Sequence, residues 1–347
     1  MSLPRAKRDT LKLGVSVGIS PRESLESWAN FAAELEREGV DRIWLIDSQV
    51  SMKDVYVGLA LAAMKTSELH LGTGVTNLVT RHPTVTANAI TAIAEVSGGR
   101  ALLGLGAGDS AVFGIGKSPS KMAEIESALR FFRTVFDGGE AEWDGRLFRL
   151  ACPAQHVPIY VAASQERMCR LAGRLADGVI LMGPAQVDVV TRQVDWILDS
   201  MRNAGRSRSD VDVCFMATTS LSDDPNQATG DVRAWATGQA RLLADFKDLP
   251  SSLTPYRSEL EAAKQAYDYA EHLSTHAGHR QLISDDLVRR LAVVGSPEEC
   301  ASRLEELFGA GVDTPIFPLM GAGRLERLKA LKERLVPLLE KGARAWT

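Results

Sequence analysis

The stretch HLGTGVTNLVTRHP (70–83), followed by SGGR (97–100) and ALLGLGAGD (101–109), decides the fold of this chain. The apolar runs His70–Val75 and Arg100–Leu105 have the length of short strands, and each ends in a Gly-rich turn that carries polar residues. The segment Pro83–Ser97 between them is long enough for a helix. A strand, a helix and a second strand form a parallel βαβ unit, whose ligands gather where the strands end.

The same alternation extends in both directions. Leu11–Val17 and Asp41–Ile46 read as strands before it, with helices over Glu23–Glu38 and Val55–Lys65. After it come a helix over Ser120–Phe136 and a hairpin around Asp144-Gly145. The pattern then resumes with strands at Pro158–Ala162, Gly178–Met182, Val211–Thr218 and Thr314–Pro318. The helices between and after them cover Gln165–Leu175, Val187–Asn203, Glu298–Phe308 and Arg324–Leu339. Eight strands, apolar on both faces, predict an α/β protein with a closed (β/α)8 TIM barrel. The roughly 75 residues after the seventh strand exceed an ordinary βα connection. They predict a helical insertion over about 225–291, with helices at Asp231–Phe246, Glu259–His272 and Asp285–Leu291, within a single domain spanning 1–347.

Composition narrows the function. The 347 residues are 45% hydrophobic and 24% charged, with a net charge of −4 and no basic stripe, which argues against nucleic acid as partner. No apolar run is long enough for a membrane span or a signal sequence. Four scattered cysteines without metal spacing read as reduced thiols of a cytoplasmic protein.

In a barrel the chemistry lies at the strand ends. These present Asp47-Ser48-Gln49, then Gly74-Val75-Thr76-Asn77, then Gly108-Asp109, then Ala162-Ala163-Ser164-Gln165, then Met182-Gly183. Small residues there let a flat or phosphorylated ligand approach the backbone. The turn at 162–165 opens a helix whose N–H groups suit a phosphate. Asp47 and Asp109 are acid/base or ring-contact candidates, with helix capping as the alternative. Arg81-His82-Pro83 reads as fixing a helix start, and Arg100 as structural. His272 and His276 are four apart, with His279 beyond Gly278, but no strand end adds a ligand, so no metal is expected. Tyr256, Tyr267 and Tyr269 line a pocket or belong to the core. GLGAGD lacks the spacing of a dinucleotide fingerprint.

Three strings carry a family resemblance: LGTGVTNLVTRHP (71–83), IAEVSGGRALLGLGAGDS (93–110) and PIYVAASQERMCRLAGRLADGVILMGPA (158–185). Together they resemble the luciferase-like flavin-dependent oxidoreductases, and within them the methylenetetrahydromethanopterin reductase-like, deazaflavin-dependent branch. The resemblance implies a cofactor at the C-terminal mouth, coenzyme F420 or alternatively FMN. It implies a non-proline cis peptide at Gly74-Val75 and a phosphate site on the 162–165 and Met182-Gly183 turns. It implies Asp109, Asp47 and Gln49 as catalytic candidates. Cofactor contacts are implied for Asp47, Gly74, Val75, Thr76, Asn77, Gly108, Ala162, Ala163, Ser164, Gln165, Met182 and Gly183. Several deazaflavin enzymes carry Asp-His after the second strand; here Ser48 follows Asp47, and a hydroxyl does not titrate near neutral pH.

The activity implied is hydride transfer between F420 and a small organic substrate. The alternatives are a two-component monooxygenase using reduced FMN from a separate flavin reductase, and a non-catalytic flavin-binding protein. A homodimer or higher homo-oligomer is expected.

Overall fold

The computed structural model describes residues 11–267, 281–321 and 323–345. Eight strands close into a parallel barrel: β1 (Gly14–Val17), β2 (Arg42–Leu45), β3 (His70–Thr73), β4 (Ala101–Leu105), β5 (Ile159–Ala163), β6 (Gly178–Leu181), β7 (Asp212–Met216) and β8 (Thr314–Pro318). Each strand neighbours its predecessor in sequence, and β1 neighbours β8. Helices stand between strands, including Leu25–Arg37, Val55–Lys65, Pro83–Ser97, Met122–Phe136 and Glu166–Leu175. This is the (β/α)8 fold that the alternation predicts. The antiparallel pair Ala141–Trp143 and Arg146–Phe148 turns at Asp144-Gly145, both with positive φ.

Two compact units compose the chain. One contains Leu13–Ile180 and Ile197–Asp212. Its interior is built around Trp44, which is fully buried. Gly72 and Gly74 make room for it: a Cβ on either would lie 2.6 Å from a Trp44 carbon. The Tyr160 ring stands edge-on to Trp44 at 4.9 Å. The Tyr160 hydroxyl donates to Asp212 at 3.0 Å, and Arg42 Nη1 reaches Asp212 Oδ2 at 2.5 Å. Both Arg42 and Asp212 sit at the N-terminal ends of their strands, so this partly buried pair lies at the barrel floor. Arg100 is structural as expected, donating to the carbonyls of Ala63, Thr66, Leu69 and Ser97.

The other unit contains Leu181–Trp196 and Val213–Thr347. After β7, Thr219–Leu221 pairs in parallel with Val293–Gly295, a two-stranded sheet that sequence reading misses because each strand has only three residues. Helices Pro225–Leu243, Arg257–Gln265 and Asp285–Leu291 pack around an apolar cluster that includes Val232, Ala236, Leu260 and Leu287. The first begins at Pro225, ahead of the expected Asp231, because Asp224 caps it and Pro225 occupies its first position. His272, His276, His279, Tyr269 and the far end of the expected Glu259–His272 helix lie outside the described residues.

Candidate active site

Strand β3 ends at Thr73, two residues before its apolar run does. The reason is local. The Thr73 hydroxyl donates to Gly104 O at 2.8 Å and accepts from Gly104 N at 2.9 Å, occupying the positions a backbone ladder would use. The Gly74-Val75 peptide is cis, as the resemblance implies. The chain rejoins the barrel at Thr76, whose N–H donates to Gly104 O and whose carbonyl accepts from Gly106 N, each at 2.9 Å.

The end of β3 and the bulge after it explain Gly104 and Gly106. A Cβ on Gly104 would lie 2.1 Å from Thr73 O, and one on Gly106 would lie 2.7 Å from Val75 Cγ2. These two glycines of GLGAGD are therefore spaces for the Thr73 carbonyl and the Val75 side chain rather than a nucleotide fingerprint. Gly108 differs: its φ of +104° is a conformation that L side chains rarely adopt.

Asp47 lies just beyond β2, with its side chain 2% exposed. Its Oδ2 accepts from Thr76 Oγ1 at 2.7 Å, tying the end of β2 to the bulge after β3. Its Oδ1 is 3.3 Å from Arg81 Nη2. His82 and Pro83 do fix the helix start, His82 Nδ1 accepting from Thr84 N and Pro83 standing at the first position. Arg81 does not share that task. Asn77 Oδ1 accepts from Val79 N and Thr80 N, both at 2.9 Å, closing a turn that sends Arg81 back toward Asp47. Tyr56 lies beneath the Arg81 guanidinium, whose carbon is 4.9 Å from the ring centre. Burial first, and the Asp47 charge second, push the Tyr56 phenol up to about 12.

Gln49 and Ser48 tie the β2 end to the β4 end. Gln49 Nε2 donates to Ala111 O at 2.7 Å, and the Ser48 and Ser110 hydroxyls are 3.3 Å apart. Asp109 stands at the start of the short helix Ser110–Phe113, its carbonyl accepting from Val112 N and Phe113 N. That four-residue helix gives no periodic signal in the sequence. The structure thus brings Asp47, Gln49, Gly74, Val75, Thr76, Asn77, Gly108 and Asp109 to the C-terminal ends of β2, β3 and β4. Ala162 and Ala163 close β5, and Ser164 and Gln165 follow. Met182 and Gly183 follow β6 in the other unit, where Met182 O accepts from Gln193 Nε2 at 3.3 Å. Arg81 and Tyr56 are what sequence reading missed; the Asn77 turn was the available signal for Arg81.

One feature bears on a phosphorylated cofactor. Helices Leu25–Arg37, Val55–Lys65 and Pro83–Ser97 begin with side-chain caps from Ser24, Asp54 and His82. Helix Glu166–Leu175 begins without one, since Gln165 makes no capping hydrogen bond. Met168 N and Cys169 N donate to Gln165 O, and the positive end of this helix suits an external anion at Glu166 N and Arg167 N. Among the described residues no group of three or more His, Cys, Asp or Glu could hold a metal ion, and no helix is long and apolar enough to cross a membrane.

Residues 10–314 match the family model of the luciferase-like monooxygenases. The chain is 30% identical over 307 residues to the 5,10-methylenetetrahydromethanopterin reductase of Methanolobus tindarius, covering 84% of this chain and 90% of that one. It is 26% identical over 331 residues to the F420-dependent glucose-6-phosphate dehydrogenase of Kineococcus radiotolerans, covering 90% and 92%. The fold matches the solved structure of the coenzyme F420 dependent tetrahydromethanopterin reductase from Methanopyrus kandleri with a TM-score of 0.75 at 23% identity, over 94% of this chain and 99% of that one.

Proposed function

The chain belongs to the luciferase-like monooxygenase family, and we propose that it is an oxidoreductase moving hydride between coenzyme F420 and a small organic substrate. The observation that carries this reading is what its relatives share. One is a reductase of a pterin and another a dehydrogenase of a sugar phosphate, and each matches over most of its length. The substrates differ, while the dehydrogenase and the structurally similar reductase are both F420-dependent. The C-terminal strand ends of a (β/α)8 barrel are where a shared cofactor belongs.

The residues present fit such a group. The first turn of helix Glu166–Leu175, with Ala162 to Gln165 before it, would hold a phosphate. Gly74, Val75, Thr76, Asn77 and Gly108 would back a flat ring. When bound, a deazaflavin supplies a two-electron hydride donor or acceptor. Asp109 would hold or move a proton at its carboxylate. Asp47 would accept a hydrogen bond from a ring N–H. Gln49 would keep the β2 and β4 ends in register through Ala111 O.

The second reading, a monooxygenase with reduced FMN from a separate reductase, draws on the family's own description. Oxygen uptake separates the two, because a deazaflavin lacks the nitrogen that makes oxygen activation efficient. Protein supplied with reduced FMN should consume no oxygen beyond the free flavin's rate. Protein-dependent uptake with an oxygenated product overturns the F420 reading.

The chain is further proposed to be a cytoplasmic homodimer or higher homo-oligomer. Its four cysteines are free, which suits a reducing compartment. Helices Val55–Lys65 and Pro83–Ser97 pack side by side and leave Val57, Met64, Val85 and Val96 exposed by 46%, 76%, 55% and 53%. At 1.5 Å per residue and about 10 Å per helix, this face spans on the order of 400 Å² in projection. That is the scale of the apolar centre of an interface burying about 800 Å² per partner.

A further inference from the structure

We infer that Arg81 is a positioning residue that fixes the Asp47 carboxylate as an anionic hydrogen-bond acceptor; for its effect on ligand, this rests on the proposed function. Arg81 Nε and Nη2 approach the two oxygens of Asp47 at 3.5 and 3.3 Å. Nη2 also donates to Asp54 Oδ2 at 3.0 Å. Asp54 in turn caps helix Val55–Lys65, its Oδ1 accepting from Tyr56 N at 2.9 Å and Val57 N at 3.0 Å. The guanidinium, 20% exposed, is thus held between two carboxylates and over the Tyr56 ring. Three segments meet on it: the turn after β2, the start of that helix, and the turn built by Asn77.

This arrangement assigns a chemical role. A carboxylate buried beside the bulge requires a paired cation. Thr76 Oγ1 donates to one oxygen of Asp47 and the Arg81 fork spans both, so the carboxylate is held in place by donors on either side. Arg81 itself touches no reacting atom; it acts through Asp47. A lysine in its place keeps the charge but loses the planar fork.

Five proteins test this: wild type, Asp47→Asn, Arg81→Met, the double variant Asp47→Asn/Arg81→Met, and Arg81→Lys as the conservative replacement. The first readout is urea unfolding without cofactor. If Arg81 acts through Asp47, Arg81→Met lowers the unfolding midpoint in the wild-type background and has much less effect when Asp47 is already Asn. Equal effects in both backgrounds overturn the inference, whatever the cofactor. The double variant leaves no buried carboxylate unpaired, so the comparison survives if Arg81→Met folds poorly. The second readout is titration with oxidised coenzyme F420. Arg81→Met should bind about tenfold or more weakly with an altered bound spectrum, Arg81→Lys should recover part of the loss, and the double variant should match Asp47→Asn. Binding by Arg81→Met within about twofold of wild type, with an unchanged spectrum, overturns it. If wild type binds no F420, the functional reading fails, and the urea cycle still decides the role of Arg81.

Discussion

Replacing Gly106 by alanine tests the packing beneath the site. The new Cβ would lie 2.7 Å from Val75 Cγ2, with Ala162 Cβ at an ordinary 3.6 Å. Carbon atoms settle at about 3.5–4.0 Å, so Val75 must withdraw by roughly 1 Å. Overpacking of this kind costs about 1–3 kcal/mol. Val75 lies where the cofactor ring is proposed to rest, so part of the cost should appear as weaker binding. At 1.4 kcal/mol per factor of ten, half of that cost lowers F420 affinity by about twofold to tenfold. Val75→Ala removes the obstructing Cγ2, and Val75 Cβ itself would be 3.9 Å from the new Cβ. The double variant Gly106→Ala/Val75→Ala should therefore recover what Gly106→Ala loses beyond the effect of Val75→Ala, with a coupling of about 1–2 kcal/mol. The assays are F420 titration and thermal unfolding of all four proteins. Additive effects, or a Gly106→Ala protein that binds F420 like wild type, would refute the reasoning.

Other outcomes follow from single groups. The Tyr56 phenol, pushed up to about 12 chiefly by burial, should ionise two units above an ordinary tyrosine; ultraviolet titration of wild type against Tyr56→Phe isolates its signal, and ionisation near pH 10 contradicts the packing. Because this folded value is raised, the linked stability is intact below pH 10 and is lost as pH rises toward 12, by on the order of 2–3 kcal/mol, a loss that Tyr56→Phe should lack. Burial raises the Glu36 carboxyl, but the N–H groups of Glu68, Leu69 and Ser67 outweigh it and hold the group below 4.5. Its contribution is present above the unfolded value and lost as pH falls through the lower folded one, so Glu36→Gln should cost about 1 kcal/mol at neutral pH and progressively less below pH 4.5 in urea unfolding. Met64→Glu with Val96→Glu should shift the protein to monomer in light scattering; an unchanged assembly moves the interface elsewhere.

The fold was legible because eight buried strands repeat with helix-length spacing, and each barrel-strand boundary fell within three residues of its expected place. Where boundaries moved, a side chain had intervened: Thr73 replaces the ladder at the end of β3, and Asp224 caps its helix early. The candidate site was legible only as strand ends. Asp47, Thr76 and Asp109 announced themselves as polar residues after apolar runs. Arg81 did not, because its role depends on a turn reversing direction, and a sequence next to His-Pro reads as a helix start. GLGAGD showed its glycines but not the purpose of Gly104 and Gly106, since the groups that need the space, the Thr73 carbonyl and the Val75 side chain, come from the end of β3 and the bulge after it.

The most direct test of the account is competition at equilibrium. Purified protein dialysed against equal concentrations of F420 and FMN, each oxidised and then each reduced, should retain F420 in preference to FMN. Replacing Asp47 with asparagine should reduce that retention. Preferential retention of FMN by the wild-type protein would contradict the account.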